Sequence, residues 1–431
     1  MNYSTPIIMK NYIFCFISYM MTAVMASCSS GDDTILEDTN NSQQESVSRN
    51  IPVTKAAEQD FETAQQAVIN MRVGWNLGNS LDSWGLWIGN NKAPGNYETA
   101  WGQPVTDEHL LKAFKAKGFN AIRVPVTWFQ HLNNDTIIDA KWMNRVQQVV
   151  DYVINNNMYC ILNVHHDTGA DDTGCWLWAD NTKFDSLNKK FVKIWQQIAE
   201  RFRDYDQHLL FEGYNEMLEK ANQWNYPANL SNLQAINNYA QSFVNTVRAT
   251  GGNNAKRNLI VTTYSGSYGA WGNSNRVVTD FVPPTDPIGT GHIAIEVHTY
   301  SPYDWVKTYN YKWTADCLKE VKWMFGNLDT YFISKGYPVI IGEYGTNGSL
   351  VIDGNSTTAQ RKEAGRQAAD ITRLCKEYDC AAFYWMGLID GKDRSEATFK
   401  WSMPETRDSI LNAYYGFVPG GIPTGIKQVT M

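Results

Sequence analysis

Eight short apolar runs alternate along this chain with polar loops and segments of helical period. The runs are Arg72–Leu77, Ala121–Val126, Tyr159–His165, Leu209–Asn215, Leu259–Tyr264, Ile293–His298, Val339–Glu343 and Ala381–Met386. Continuous apolar runs of this length read as strands covered on both faces, the condition of a parallel sheet flanked by helices. The intervening segments carry their own signals. Thr106 is the expected cap of one helix, with Asp107 and Glu108 in its first turn and Gly118 at its end. Trp142, Val146, Val149, Val150 and Val153 form one apolar stripe, and Phe191, Ile194, Trp195, Ile198 and Phe202 form another. Later helices are expected at Asn232–Ala249, Thr314–Lys335 and Ala359–Glu377. The helix after the fifth strand is poorly signalled, and Pro283–Pro287 interrupts it. Eight such units predict an α/β fold of the (β/α)8, or TIM-barrel, type, as one catalytic domain over residues 61–431. The alternative is a doubly wound open sheet, but no Gly-x-Gly-x-x-Gly turn follows the first strand.

The N-terminus reads as a targeting segment. Lys10 precedes an apolar stretch, Tyr12–Ala26, of signal-peptide length and too short to span a bilayer comfortably. It closes in Met25-Ala26-Ser27-Cys28, which resembles the lipobox of bacterial lipoproteins, with Met25 where that motif usually has Leu. Residues 1–27 are therefore expected to be a signal peptide and Cys28 the lipidated first residue of the mature chain. Ordinary cleavage near Ala26 is the alternative, and Met9-Lys10 is a second candidate start. Residues 28–60 are rich in Ser, Asn, Gln, Asp and Glu and read as a flexible polar tether. The expected location is the cell envelope of a bacterium, at the outer membrane or cell surface, with the lipid as the sole membrane contact.

The formal net charge is −7, and no basic patch is present to neutralise phosphates. A nucleic-acid partner is therefore not expected, and a neutral polymer suits the chain better than an acidic one. Of seven cysteines, Cys15 and Cys28 fall in the leader, and the odd remainder contains no CxxC. Neither a disulfide framework nor a zinc or redox site is expected. Cys160 and Cys380 read as small buried hydrophobes. No cofactor and no metal are expected, and a monomer suffices.

Polar residues gather where the strands end: Arg123 on the second, His165 and His166 on the third, Asn215 and Glu216 on the fourth, His298 and Tyr300 on the sixth, Glu343 on the seventh, and Trp385 on the eighth. In a barrel these project onto one mouth. Two carboxylates facing each other there are what glycoside hydrolysis needs, one protonated and one ionised. Arg123 and Tyr300 are available to keep Glu343 charged, which assigns it as nucleophile and Glu216 as general acid/base. Adjacent histidines on a strand point to opposite faces, so His165 is the better inward candidate and His166 its support. A metal cluster from His165, His166 and Asp167 is a weaker reading. Glu212 shares a side with Glu216 and either supports the site or pairs with Arg123. Of 16 Trp, Trp84, Trp87, Trp101, Trp128, Trp176, Trp178, Trp224, Trp271, Trp305, Trp385 and Trp401 follow strand ends. Such a concentration suits a long cleft that stacks on sugar faces, with about half of these rings expected to touch substrate. Trp84, Trp87, Trp176 and Trp178 are the strongest candidates after Trp385.

The set as a whole resembles glycoside hydrolase family 5. Asn215-Glu216, Glu343, Arg123, His165-His166, His298-Thr299-Tyr300 and Trp385 occur in order on the right strands. The strings Gly74-Trp75-Asn76-Leu77-Gly78-Asn79, Glu98-Thr99-Ala100-Trp101-Gly102 and Arg123-Val124-Pro125-Val126-Thr127-Trp128 are similar to its endoglucanase and xyloglucanase branch. The resemblance runs from about Arg72 to Trp401, and it implies retention and no catalytic metal. It further implies that Asn215 binds the sugar 2-hydroxyl, that Tyr300 orients Glu343 and that Trp385 stacks on the sugar at the cleaved bond. Asn76 joins the expected substrate-binding group. Met217 departs from the family, where many members carry Pro. The expected activity is a retaining endo-β-1,4-glucanase on cellulose-like, mixed-linkage or xyloglucan chains. A mannanase or xylanase on the same scaffold is the alternative, and a non-catalytic glycan-binding lipoprotein a remoter one.

Overall fold

The computed structural model describes residues 60–419, except 89–92, 170–173, 222, 290, 308–311 and 347–355. Cys28, the leader and nearly all of the tether lie outside the described residues. Each of the eight predicted runs contains a parallel strand: β1 (Val73–Asn76), β2 (Ala121–Val124), β3 (Tyr159–Asn163), β4 (Leu209–Glu212), β5 (Leu259–Thr262), β6 (Ile293–Thr299), β7 (Val339–Tyr344) and β8 (Ala381–Trp385). They close into a barrel in the order β1-β8-β7-β6-β5-β4-β3-β2. The fold is a (β/α)8 TIM barrel.

The principal helices are α1 (Glu108–Lys117), α2 (Ala140–Asn155), α3 (Phe184–Arg201), α4 (Leu233–Ala249), α5 (Arg276–Thr279), α6 (Ala315–Tyr331), α7 (Thr358–Glu377) and α8 (Pro404–Tyr415). Both predicted stripes, on α2 and on α3 with Phe202 just beyond it, are buried against the barrel. The cap of α1 is Asp107 rather than Thr106. Thr106 instead gives its backbone N–H to the buried carboxylate of Glu98 at 2.7 Å. Gly118 ends α1 at φ 104°, a left-handed conformation that favours glycine. The weakly signalled fifth helix is a single turn.

A helix that apolar runs alone do not reveal, Ala64–Met71, lies under the barrel. Its signal is the Thr63–Gln66 capping box. Its buried face (Ala64, Ala67, Val68, Met71) belongs to one apolar cluster with Ala121, Tyr159, Ile161, Leu210, Ile260, Ala294, Ile340 and Ala381, near the strand starts. The helix plugs that end. Two residues further along β2, β3, β4 and β6, and at the end of β1, the period-two alternation brings the next residues inward. On these five strands the residues are polar: Asn76, Arg123, Asn163, Glu212 and Glu296, all fully buried. Uncompensated buried charges cost several kcal/mol each, about the stability of a small domain if left unpaired, so this layer must be tightly paired. It forms the floor of the site.

Candidate active site

Arg123 organises the floor. Its Nε and Nη2 donate to Glu212 at 2.6 and 2.8 Å. Nη1 donates to Asn76 Oδ1 at 3.0 Å and to Glu343 Oε1 at 2.8 Å. Nη2 also reaches Asn215 Oδ1 at 2.8 Å and lies 3.2 Å from Glu296 Oε1. One guanidinium thus touches five side chains from four strands and the β4 exit. The two open options for Glu212 resolve as a bidentate pair with Arg123, braced by Asn163 Nδ2 at 2.9 Å.

Asn76 is corrected by the same geometry. Its amide donates to the carbonyls of Gly342 and Phe383 at 2.9 and 3.2 Å, and its oxygen accepts from Arg123. Fully buried and fully committed, it orients the floor and does not reach a substrate.

Glu343 and Glu216 rise above this floor. Glu343 accepts from Arg123 on one oxygen and from the Tyr300 hydroxyl, at 2.9 Å, on the other. Glu216 Oε1 sits 2.8 Å from His298 Nδ1, and the Glu216 side chain is 21% exposed. Ligand atoms of Glu216, Glu343 and His298 all lie within 4.8 Å of one another. So close an approach lets both carboxyls act on one bond. The register shift between Val297 and His298, where β6 pairs with β7, helps to aim this group.

The two carboxyls sit in opposite electrostatic settings. Burial raises Glu216 above its ordinary value, the Glu343 charge adds to that, and the His298 contact only partly offsets it. Burial also opposes ionisation of Glu343, but His298, then Arg123 and the Tyr300 hydroxyl, outweigh it and hold the carboxyl low. His165 is pushed well below its ordinary value, by burial and then by His166, Arg123 and His298.

The remaining candidates are placed as follows. His165 is buried with Nε2 3.9 Å from Glu343 Oε1, and His166 is half-buried beside Trp101. The Trp385 ring lies nearly parallel to His165 at 5.9 Å and is partly exposed, so one surface of it is available at the mouth. Trp84 is half-buried against Phe129, and Trp87 is 66% exposed. Lys190 lies over Trp176 and Lys220 over Trp178, which occupies part of each ring. Trp128 and Trp305 are core residues. Asp167 accepts from Trp128 N–H at 2.7 Å and Trp176 Nε1 at 2.6 Å, which commits it outside a His165–His166 metal cluster. Asp82, His165 and His166 also bring ligand atoms together, but both Asp82 oxygens accept backbone N–H groups, from Asn79 and Ser80. Met217 donates its backbone N–H to Asn215 O at 3.1 Å, a bond that proline could not make. Glu296, absent from the sequence candidates, contacts both Arg123 and His298. It stands two residues before His298 on one strand, so period two was its available signal.

A parallel (β/α)8 barrel with two close, oppositely tuned glutamates after β4 and on β7 defines a glycoside hydrolase. The sequence model of the cellulase family, glycosyl hydrolase family 5, matches residues 88–388, and the chain belongs to that family. It is 39% identical over 295 residues to endoglucanase A of Ruminococcus albus, covering 66% of this chain and 74% of the relative. With endoglucanase A of Paenibacillus barcinonensis it shares 32% over 392 residues, 84% of this chain and 92% of the relative. A family 5 enzyme of Prevotella bryantii B14, solved with a xyloglucan tetradecasaccharide, superposes with a TM-score of 0.77 at 43% identity, over 82% of this chain and 99% of that one. A xyloglucan-specific endo-β-1,4-glucanase from a metagenomic library, solved with cellotriose, gives 0.69 at 33%, over 80% and 98%.

Proposed function

We propose that this endo-β-1,4-glucanase cuts β-glucan chains with retention, using Glu343 as nucleophile and Glu216 as general acid/base. The observation that carries this reading is the opposite tuning of two carboxyls whose oxygens approach within 4.8 Å. In the first step a Glu343 oxygen bonds to the anomeric carbon as the glycosidic C–O bond breaks, and Glu216 gives its proton to the leaving oxygen. Glu343 then carries an ester and no charge. Its repulsion of Glu216 disappears, so Glu216 is easier to ionise when it must take a proton from water. That water's oxygen bonds to the anomeric carbon, the ester bond breaks, and both carboxyls regain their starting states.

Asn215 has one oxygen on Arg123, and its Nδ2 has no protein partner among the described residues. It is therefore free to donate to the sugar 2-hydroxyl. Trp385, with Trp84 and Trp87, supplies ring faces for stacking; Trp176 and Trp178 contribute edges where lysine covers a face. Glucan is favoured as substrate by the xyloglucan and cellotriose held by the solved relatives. One barrel contains every site residue, so a monomer suffices.

A panel of soluble xyloglucan, mixed-linkage glucan, carboxymethylcellulose, mannan and xylan tests the substrate. Internal cleavage of at least one β-1,4-glucan is expected, with slower or no release from mannan and xylan. Fast mannan or xylan cleavage with no glucan cleavage would overturn it.

Lipidation at Cys28 and residence at a bacterial cell envelope are a separate proposal, supported by the Met25-Ala26-Ser27-Cys28 string and the tether behind it. Cys28→Ala should move the protein from the membrane to the soluble fraction, read by fractionation and activity. Unchanged membrane association would count against it.

A further inference from the structure

We propose that Glu296 is a positioning residue that sets, through His298, which oxygen of Glu216 carries the catalytic proton; this rests on the reading of Glu216 as general acid. His298 is held at both nitrogens. Nδ1 is 2.8 Å from Glu216 Oε1 and Nε2 is 3.0 Å from Glu296 Oε1. Glu296 is fully buried, and its second oxygen has no hydrogen-bond partner. Space for it is made by β7. A Cβ at Gly342 would overlap the Glu296 carboxylate, so glycine there lets the carboxylate stand under His298. Retaining a buried, half-satisfied carboxylate is costly, and such a group calls for a role that repays it.

The role follows from proton placement. With a charged acceptor at Nε2, His298 keeps that nitrogen protonated and favours the doubly protonated ring. Its Nδ1–H then donates to Glu216 Oε1. That oxygen cannot also hold a proton toward the ring, so the Glu216 proton resides on Oε2. Oε2 makes no hydrogen bond among the described residues and is the oxygen left for the leaving group. If the ring were neutral with its single proton at Nε2, Nδ1 would present a lone pair. Glu216 would then place its proton on Oε1, pointing at His298 instead of the glycosidic oxygen.

The groups facing His298 are consistent with a cationic ring. Glu216 approaches from the β4 exit, Glu343 from β7, and Glu296 from its own strand; Tyr300 lies just beyond. Glu212 and Arg123 stand behind Glu296, and His165 faces the ring from the β3 exit. On the β5 side, Gly266 packs against the ring and brings no charge. Burial works against the cation, but the Glu343 charge and the bonds to Glu216 and Glu296 push His298 up to about 10.

The test is Glu296→Gln in the full chain, which keeps the shape and a possible acceptor but removes the charge. On polysaccharide, kcat should fall roughly ten- to a hundredfold with KM within about twofold, because proton delivery suffers and binding does not. The alkaline limb should move to lower pH as His298 begins to titrate. Aryl cellobiosides with acidic phenols, which need little protonation, should lose much less. By 15N NMR, His298 should be doubly protonated through neutral pH in the native protein and neutral in the variant. Wild-type kcat and pH profile in the variant, or native His298 titrating near its ordinary value, would overturn the proposal. If the variant does not fold, the native titration decides alone. Glu216→Gln in parallel separates the two ideas: if it is inactive while Glu296→Gln behaves as wild type, only the role of Glu296 falls. If Glu216→Gln is active, the acid/base reading falls first.

Discussion

Glu343→Ala is expected to lower kcat on polysaccharide by on the order of 10⁵-fold, and added azide to restore turnover with formation of the inverted glycosyl azide. Two features of the site make the effect this large. Removing the carboxylate removes the covalent step, and it also leaves the Tyr300 hydroxyl without its acceptor and Arg123 Nη1 with Asn76 alone. The vacated space lies beside the anomeric carbon on the face opposite the leaving group, so a small anion attracted by Arg123 and His298 attacks there once, giving inversion. Product configuration by NMR decides the matter. Azide product of retained configuration, or near-native activity without azide, would remove Glu343 from the nucleophile's place. Glu343→Gln should be equally inactive, because an amide keeps the shape and is no nucleophile. The pH profile carries the same assignment. Glu343 works ionised and is held low, so the acid limb should fall below the ordinary glutamate range. Glu216 works protonated and is raised, so the alkaline limb should lie above it. The two limbs belong to the pair, since each carboxyl shifts the other.

Much of this was legible in the chain because barrel strands buried on both faces leave long apolar runs. Every run contains a strand, and the polar residues after the fourth strand and on the seventh, Glu216 and Glu343, come together above a floor that takes in Arg123. The runs extend past the assigned strand ends by up to a few residues. The run Tyr159–His165 is longer than its strand, which ends at Asn163, although hydrogen bonds to both neighbouring segments continue through Val164 and His165. Adjacent positions were harder. Asn76 looks like a mouth residue by its place at the end of β1, yet one layer lower its amide is consumed by two carbonyls and Arg123. Glu296 was invisible for the converse reason: within Ile293-Ala294-Ile295-Glu296-Val297-His298 a single acid looks like a surface position. Only closure of the barrel shows that its side faces Arg123. Thr106 and Asp107 are both cap-forming residues, and because the helix begins at Glu108 the cap falls to Asp107, whose side chain accepts from the His109 N–H. Tryptophan positions could be counted but not oriented: Trp128 and Trp305 follow strand ends as Trp84 does, yet they fill the core.

Glu216→Ala should separate the two half-reactions by what each asks of a proton. On polysaccharide, whose leaving group is a sugar hydroxyl, kcat should fall about 10²–10⁴-fold, the usual contribution of a placed general acid. With an aryl cellobioside bearing an acidic phenol, the first step needs no proton and should proceed near its native rate. The second step still needs a base for water, so the glycosyl-enzyme should accumulate and the phenol appear as a burst followed by slow turnover. Azide requires no base. It should relieve the slow step and yield a glycosyl azide of the substrate's own configuration, the mirror of the outcome at Glu343, because here it replaces water on the face that Glu216 serves. The alkaline limb of the profile should vanish with the group that produces it. Polysaccharide cleavage at the native rate, or the same azide anomer from both variants, would contradict the division of roles. Opposite anomers from two carboxyls whose oxygens lie within 4.8 Å can arise only if they work from opposite faces of one sugar.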